Sequence, residues 1–486
     1  MAETGRRQPQ RSLQRPAERA RIPDGARLAA YTVLRAVDQD GAYANLELAK
    51  QLRANGLRGR DAAFATELTY GAARMRGLYD PVIALAAGRS TTRIDANVLG
   101  TLRLGVHQVL GMRVPPHAAV GETVALARMV NGAGASGFVN AVLRRVGERS
   151  RAEWVQQVAG SGDRLTRLAV EHSHPEWVVR AFRAALLGSS ASTVETVEQD
   201  LVDLLESDNA PAKVSLVARP GLGDVADLVA AGARRSTLSP VGAVLASGDP
   251  GAIPAVRQGR AGVQDEASQL VALALALAPV RATGGADERW LDLCAGPGGK
   301  AALLAALAAT HGASLVANEI SPHRAELVRH TLTAAWAAGA RVEVRVGDGR
   351  QVGADEPSAY DRVLVDAPCT GLGALRRRPE ARWRREPADL AGLGALQRAL
   401  LGSALDAVRP GGVVGYATCS PHLAETRFIV SDVTKRRGDV ETLDAGPLFV
   451  DAAGAQVAHT GDGPFVQLWP HVHGTDAMFF ALLRRR

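Results

Sequence analysis

Residues Trp290 to Lys300 read WLDLCAGPGGK: a short apolar strand, a tight glycine turn and the start of a helix. Gly296, Gly298 and Gly299 let the backbone approach a ligand where a Cβ would collide with it. The segment that follows, AALLAALAA from Ala301 to Ala309, is a strong helix former, so the free N–H groups of the turn stand at a helix N-terminus. This pattern predicts a nucleotide-like cofactor. A phosphate-binding P-loop needs a glycine and a hydroxyl residue where Cys294 and Ala301 stand, which disfavours ATP chemistry. The dinucleotide fingerprint asks for a third glycine at Ala301; alanine is sometimes accepted there, so that reading is weaker but open. Asp292, just before the turn, favours S-adenosylmethionine, because a carboxylate suits an amine and a sulfonium better than a pyrophosphate. A glycine turn that only packs a helix on a sheet leaves the same local signature, so the neighbouring segments have to decide.

They repeat one theme. Ser314 to Glu319, SLVANE, reads as the next strand and ends in Glu319, at the spacing where such folds place the acid that holds ribose hydroxyls. Arg341 to Val346 leads into Gly347-Asp348-Gly349, and Arg362 to Val365 runs into Asp366-Ala367-Pro368-Cys369. In a parallel sheet the C-terminal strand ends share one edge, and ligands of open α/β folds bind along it. Strand after strand finishing on an acid or a cysteine marks that edge as a site.

The 486 residues are enough for about three domains, and 47% hydrophobic content supports real cores. The polar N-terminus has no signal-peptide core and no apolar run is long enough for a membrane span, so a cytoplasmic protein without a membrane partner is expected. Cys294, Cys369 and Cys419 show no C-x-x-C spacing; they are expected to be free thiols, with no metal bound. A net charge of +7 favours a polyanionic partner. Arginine supplies nearly all of it, yet one of the few lysines, Lys300, stands at the glycine turn, where a point charge fits the cofactor's carboxylate.

Along the chain, residues 1–24 read as a disordered basic tail. Residues 25–148 are helical almost throughout, with helices beginning near Asp24, Asn45, Arg60, Asp80, Asp95, His117 and Ser136. Val98, Leu102, Val106 and Val109 share one helix face, and Val120, Val124 and Ala127 another. Residues 149–262 are mixed, a small α/β module with a helix interrupted at His174-Pro175, a strand over Lys213 to Ala218 and a helix over Gly221 to Gly232. The glycine-turn domain takes 263–486, as a doubly wound α/β fold.

Asp366 to Gly371 (DAPCTG) ends one strand, and Tyr416 to Pro421 (YATCSP) ends the next, after a turn at Arg409-Pro410-Gly411-Gly412. Adjacent in a parallel sheet, these strands would present both cysteines on the cofactor edge. A methyl donor beside a thiolate suggests methylation of a pyrimidine at carbon 5, which becomes nucleophilic only after a thiolate adds at carbon 6. Asp366 could hold the base, which must be single-stranded or flipped out. The stretch RRRPEARWRR that follows, with Arg376, Arg377, Arg378, Arg382 and Trp383, reads as a phosphate clamp with a stacking aromatic. An exposed charged loop would look the same.

Taken in order, DLCAGPGGK, ANEISPHR, GDGR, DAPCTGLGALRRRPEARWR, the LQRALL run at Leu396 to Leu401 and YATCS resemble the motif series of the RNA cytosine-C5 methyltransferases of the NOL/NOP/Sun type, over roughly residues 263–486. The helical N-terminal region resembles a NusB-type RNA-binding domain, and that fusion is the layout of the bacterial small-subunit ribosomal RNA methyltransferase B family. The resemblance implies a class I methyltransferase domain that uses S-adenosylmethionine, a ribosomal RNA substrate, RNA contacts by both N-terminal regions and a monomer. It makes Cys419 the nucleophile and gives Cys369 a part in product release; spacing alone does not rank the two thiols, and in DNA cytosine methyltransferases the Pro-Cys cysteine, here Cys369, is the nucleophile. It also implies cofactor contacts at Cys294, Ala295, Gly296, Pro297, Gly298, Gly299, Lys300, Glu319, Asp348 and Asp366. Where the family has Pro-Glu-Glu-Asn after TCS, this chain has Leu423-Ala424-Glu425-Thr426, which puts the cap of the next helix in doubt. A transfer RNA substrate, and a non-catalytic ribosome assembly or antitermination factor, are the competing readings.

Overall fold

The computed structural model describes residues 24–281 and 287–486, so the basic tail lies outside the described residues except for Asp24. The chain divides into two units, Met1–Gly162 and Asp163–Arg486.

The first unit is helical: α1 (Gly25–Gln39), α2 (Ala44–Ala54), α3 (Gly59–Arg74), α4 (Arg76–Ala87), α5 (Ala96–Leu110), α6 (Pro116–Val130), α7 (Ala133–Val146) and α8 (Arg151–Ala159). Short polar side chains start several of them. Asp24 accepts from the Ala26 N–H, Asp95 from those of Asn97 and Val98, and Ser150 and Glu153 form a capping box. The one-face reading of α5 is too narrow: every residue from Leu99 to Gln108 is buried, because α1, α3, α4, α6 and α7 surround this helix. Val98 and Val109 are only partly covered. On α6 the buried residues are Ala119, Thr123, Leu126 and Ala127, so Val120 and Val124 flank the face instead of forming it. The helical unit also runs past residue 148, since Trp154 of α8 is buried and its Nε1–H donates to the Val146 carbonyl at 3.0 Å.

The second unit opens with α9 (Arg164–Glu171), α10 (Glu176–Gly188) and α11 (Val197–Asn209). A small antiparallel sheet follows, with β1 (Val214–Ala218), α12 (Val225–Ala230), β2 (Ala233–Arg235), β3 (Gly242–Leu245), α13 (Pro254–Arg257) and β4 (Ala261–Val263) in strand order β2-β3-β1-β4. β4 pairs with β1, so the small sheet extends one residue past the sequence boundary at 262.

After α14 (Glu266–Leu277) the main sheet begins: β5 (Arg289–Asp292), α15 (Gly299–Thr310), β6 (Ser314–Glu319), α16 (Pro322–Ala337), β7 (Val342–Val346), α17 (Val352–Asp355), β8 (Tyr360–Asp366), α18 (Asp389–Ala407), β9 (Val408–Thr418), α19 (Arg427–Thr434), β10 (Val440–Leu443), β11 (Val466–Leu468) and β12 (Met478–Arg485). The strand order is β10-β12-β9-β8-β5-β6-β7, with β11 on β12. β5 through β9 pair in parallel and β12 runs against β9. Leu270, Leu303 and Val328 of α14, α15 and α16 pack with one core cluster, and Leu400, Leu401 and Ile429 of α18 and α19 with the other, so the sheet is covered on both faces, as a buried parallel sheet requires. The expected turn at Arg409–Gly412 lies inside β9; Gly411 takes φ 79° there and the pairing with β8 shifts register between Tyr360 and Arg362. Because β6 and β7 lie on one side of β5 and β8 and β9 on the other, the strand order reverses between β5 and β8, where such folds open a ligand crevice.

In the first unit α3 and α5 approach closely over Gly71, whose Cβ, if present, would lie 1.9 Å from Nε2 of buried His107. The other ring nitrogen of His107 is hydrogen-bonded to Tyr79 Oη at 2.9 Å, so the ring cannot easily give way. Gly71→Ala is expected to destabilise this unit by about 2 kcal/mol, read as a lowered unfolding transition in scanning calorimetry.

Candidate active site

The crevice is lined by strand ends. β5 delivers Asp292 and then the glycine turn, in which Gly296 and Gly298 have φ 57° and 98°. A Cβ on Gly298 would lie 3.1 Å from Val328 Cα, so that glycine is needed for packing against α16. One on Gly296 would meet only the Cys294 carbonyl, at 3.9 Å, which leaves open space beside that residue. Glu319, at the end of β6, accepts from the Gly296 N–H at 3.0 Å and the Ser321 N–H at 2.9 Å, and pairs with Arg324 at 2.7 Å. Its neighbour Asn318 donates to the Leu293 and Gly347 carbonyls at 3.0 and 3.1 Å, tying the ends of β5 and β7 together. The sequence reading missed Asn318 and Arg324; the signal for Asn318 was a polar residue inside an otherwise apolar strand.

Four carboxylates gather here with different surroundings. Asp292 is fully buried, and among the described residues no group makes a well-formed hydrogen bond to its oxygens; burial, with Asp366 nearby, raises its pKa to about 7. An uncompensated buried acid of this kind fits an incoming cation. Asp366 accepts from Lys300 Nζ at 2.9 Å through one oxygen, and its side chain is 31% exposed. Burial works against the charge on Lys300, but Asp366 outweighs it and raises the lysine's pKa. The ammonium read as a partner for a ligand carboxylate is thus directed at Asp366. Asp348 holds Arg350 at 2.6 Å, which with the local hydrogen bonds lowers its pKa. The residues present fit a cofactor that carries an amine, ribose hydroxyls and a positive centre: Asp292 and Glu319 supply the acids and the glycine turn supplies the room.

On the other side of the switch point, β8 and β9 pair with Asp366 opposite Ala417, and the loops beyond bring Cys369 Sγ within 3.5 Å of Cys419 Sγ. All three cysteines are free. The bond to Cys369 lowers the pKa of Cys419, helped by Lys300, whereas Cys369 is raised by the same contact, by burial and by the negative charges of Cys419 and Glu425. Cys294 is also raised, by burial first. Cys419 is the more acidic of the facing pair, chiefly because it receives the hydrogen bond from Cys369; burial and the Asp366 carboxylate oppose this and the Lys300 ammonium adds to it.

The arginine stretch is corrected in part. Arg382 is fully buried and donates to the Ser173 carbonyl at 3.1 Å and to Asn209 Oδ1 at 3.0 Å; Arg376 is buried and donates to the Gly474 carbonyl at 3.0 Å. Both are structural, since a guanidinium enclosed by protein cannot reach a phosphate. Arg377 is held between Asp265 and Asp476. Arg378 remains exposed and Trp383 is half-buried. Among the described residues no cluster of His, Cys, Asp or Glu could hold a metal ion, and no helix is long and apolar enough to cross a membrane.

A doubly wound sheet with an antiparallel β12, a glycine turn after its first strand and acids along the C-terminal edge define a methyltransferase domain. The family described as 16S rRNA methyltransferase RsmB/F matches residues 275–484, and the NusB family matches residues 24–148. The chain is 52% identical over 472 residues to the putative methyltransferase Rv1407 of Mycobacterium tuberculosis H37Rv, covering 96% of this chain and 98% of that one. It is 30% identical over 464 residues to ribosomal RNA small subunit methyltransferase B of Pseudomonas putida, covering 94% and 98%. The chain belongs to the RsmB/F methyltransferase family, with a NusB domain at its N-terminal end. The solved structure of PH0851 superposes with a TM-score of 0.77 at 21% identity, covering 96% of this chain and 100% of that one. NSun6 from Pyrococcus horikoshii with SFG gives 0.50 at 16% identity, covering 63% and 97%. These two likenesses are of fold.

Asp292 carries a pH prediction. In the fold it is neutral at pH 5 and ionises as the pH rises through about 7, whereas in the unfolded chain it ionises near 4. Its contribution to stability is present at low pH and is lost over that window. Asp292→Asn should therefore change Tm little at pH 4 and raise it increasingly up to pH 8, with a gain of up to about 4 kcal/mol in the ligand-free protein, measured by thermal unfolding at both pH values.

Proposed function

We propose that this protein methylates carbon 5 of a cytosine in small-subunit ribosomal RNA, using S-adenosylmethionine and a covalent cysteine adduct. The observation that carries the reading is the pair Cys369 and Cys419, 3.5 Å apart beside Asp366 and Lys300 at the switch-point crevice. The name of the Pseudomonas putida relative, ribosomal RNA small subunit methyltransferase B, supports the choice of RNA. Bound S-adenosylmethionine supplies an electrophilic methyl group on a sulfonium. Asp292 and Glu319 are its anchors, one for the amine and one for the ribose.

The Cys419 thiolate adds to carbon 6 of the base, which makes carbon 5 nucleophilic; that carbon would take the methyl group from the bound sulfonium, which leaves as a neutral thioether. A base then removes the carbon-5 proton, the double bond re-forms and the thiolate leaves. Asp366, with one oxygen engaged by Lys300, presents the other to the exocyclic amine of the cytosine. The hydrogen bond from Cys369, with Lys300 adding to it, favours the Cys419 thiolate, which supports Cys419 as nucleophile and Cys369 as the thiol that assists release. The exposure of Arg378 and the partial exposure of Trp383 support a part for this stretch in meeting RNA.

The test is methyl transfer from labelled cofactor to unmodified ribosomal RNA. Cys419→Ala should fall by on the order of 10³-fold or more, and Cys369→Ala should accumulate an RNA–protein adduct on a denaturing gel. Adduct in Cys419→Ala would reverse the two roles. Transfer to transfer RNA instead would change the substrate, and no transfer to any RNA, with no cofactor binding, would favour a binding factor. Separately, Asp292→Asn and Glu319→Gln should each weaken cofactor binding about tenfold or more, measured by calorimetry.

A further inference from the structure

Glu425 lies in the turn that follows Thr418-Cys419-Ser420, at the end of Leu423–Glu425, and it is fully buried. Its carboxylate reaches across to the other cysteine loop. One oxygen accepts from the Thr370 N–H at 2.8 Å and from Gln397 Nε2 at 3.2 Å; the other accepts from the Thr370 hydroxyl. Thr370 directly follows Cys369, and its hydroxyl oxygen is 3.1 Å from that of Ser420, which directly follows Cys419. Gln397, on α18, also donates to the Pro368 carbonyl at 2.9 Å, and the Tyr416 hydroxyl of β9 donates to the Glu425 carbonyl at 2.8 Å. The carboxylate thus joins Thr370 to α18, Thr370 in turn meets Ser420, and the backbone of Glu425 is tied to β9.

As a purely structural device this is costly. A fully buried carboxylate that no Lys or Arg pairs with among the described residues loses solvation that neutral donors only partly restore. An apolar residue would pack the same turn without that penalty. What an apolar residue could not do is draw the Cys369 loop toward the Cys419 loop through two donors of one residue, Thr370. Nor could it place negative charge on the Cys369 side, opposite Lys300 on the Cys419 side. The next residue, Thr426, precedes α19 without giving it a side-chain cap; its hydroxyl donates to the His422 carbonyl at 3.0 Å. Where the resemblance put that cap in doubt, the acid beside it serves the thiols.

We propose that Glu425 is a positioning residue that fixes the Cys369 loop against the Cys419 loop, so that the Cys369 sulfur stays within reach of the adduct formed on Cys419. This rests on the covalent reading above. It applies to the release half of the reaction, because the side-chain bonds of Glu425 go to Thr370 beside Cys369 and to Gln397, whereas the cofactor anchors are carried by other strand ends.

The experiment compares wild type, Cys369→Ala, Glu425→Gln, Glu425→Ala and Thr370→Val on unmodified ribosomal RNA. Glu425→Ala should lower kcat about 10- to 100-fold, with KM for the cofactor and calorimetric cofactor binding within about twofold of wild type. It should accumulate RNA–protein adduct, as Cys369→Ala does. Thr370→Val, which removes only the bridging hydroxyl, should do the same to a smaller degree, and Glu425→Gln, which keeps an acceptor for the Thr370 N–H, should be the mildest. Should Glu425→Ala fail to fold, Thr370→Val decides the matter. Wild-type turnover and no adduct in the Thr370 and Glu425 variants, beside a trapped Cys369→Ala, would overturn the proposal and leave the covalent reading intact. No 5-methylcytosine from wild type and no adduct in Cys369→Ala would overturn both.

Discussion

Backbone hydrogen bonds between parallel β8 and β9, in a register that sets Asp366 opposite Ala417, bring two cysteines that are 50 residues apart in sequence to 3.5 Å. Nothing else in the site would be useful without that pairing. β8 is also bonded to β5, so the same register places the thiols beside the strand that carries Asp292 and the glycine turn. A cofactor edge and a nucleophile edge meet because the strand order reverses between β5 and β8.

Charge is distributed across this edge with a gradient. Lys300 and Asp366 form a pair that acts on Cys419, Glu425 acts on Cys369, and Asp292 is fully buried, with no ion pair among the described residues. The ligand-free protein therefore carries an unfavourable acid, which a positively charged ligand would relieve. Stability given up at a binding site in this way is a recurrent trade between fold and function.

The site also depends on elements that make no contact with it. Arg382 crosses from the loop after Cys369 to the carbonyl of Ser173 and to Asn209, and Arg377 joins Asp265 to Asp476. These bonds anchor the loop to α11 and to the segments before α14 and β12. The arginines that composition marks as ligands for nucleic acid are here divided, some spent on holding the loop and others, such as Arg378, left at the surface. Charge in a sequence reports that a guanidinium is present; only the carbonyls and carboxylates around it decide whether solvent can reach it.

Local chemistry made much of the molecule legible in the sequence. Glycine spacing gave the turn at Gly296 to Gly299, alternating and apolar runs gave β5 to β8, and acids at strand ends gave the crevice; polar residues ahead of apolar periodicity gave the starts of α1, α2, α3, α5 and α6, whereas α4 begins at Arg76, ahead of Asp80, and α7 at Ala133, ahead of Ser136. These depend on neighbours within a few residues, so they can be read from the chain. Three features could not. α5 is buried on all sides because five helices surround it, although its own pattern predicts one face. The tie made by Asn318 between β5 and β7, and that made by Glu425 between the two cysteine loops, join residues 25 to 55 positions apart. Which side of the thiol pair meets a cation follows from where Lys300 and Glu425 come to rest in space, and sequence order does not encode that position.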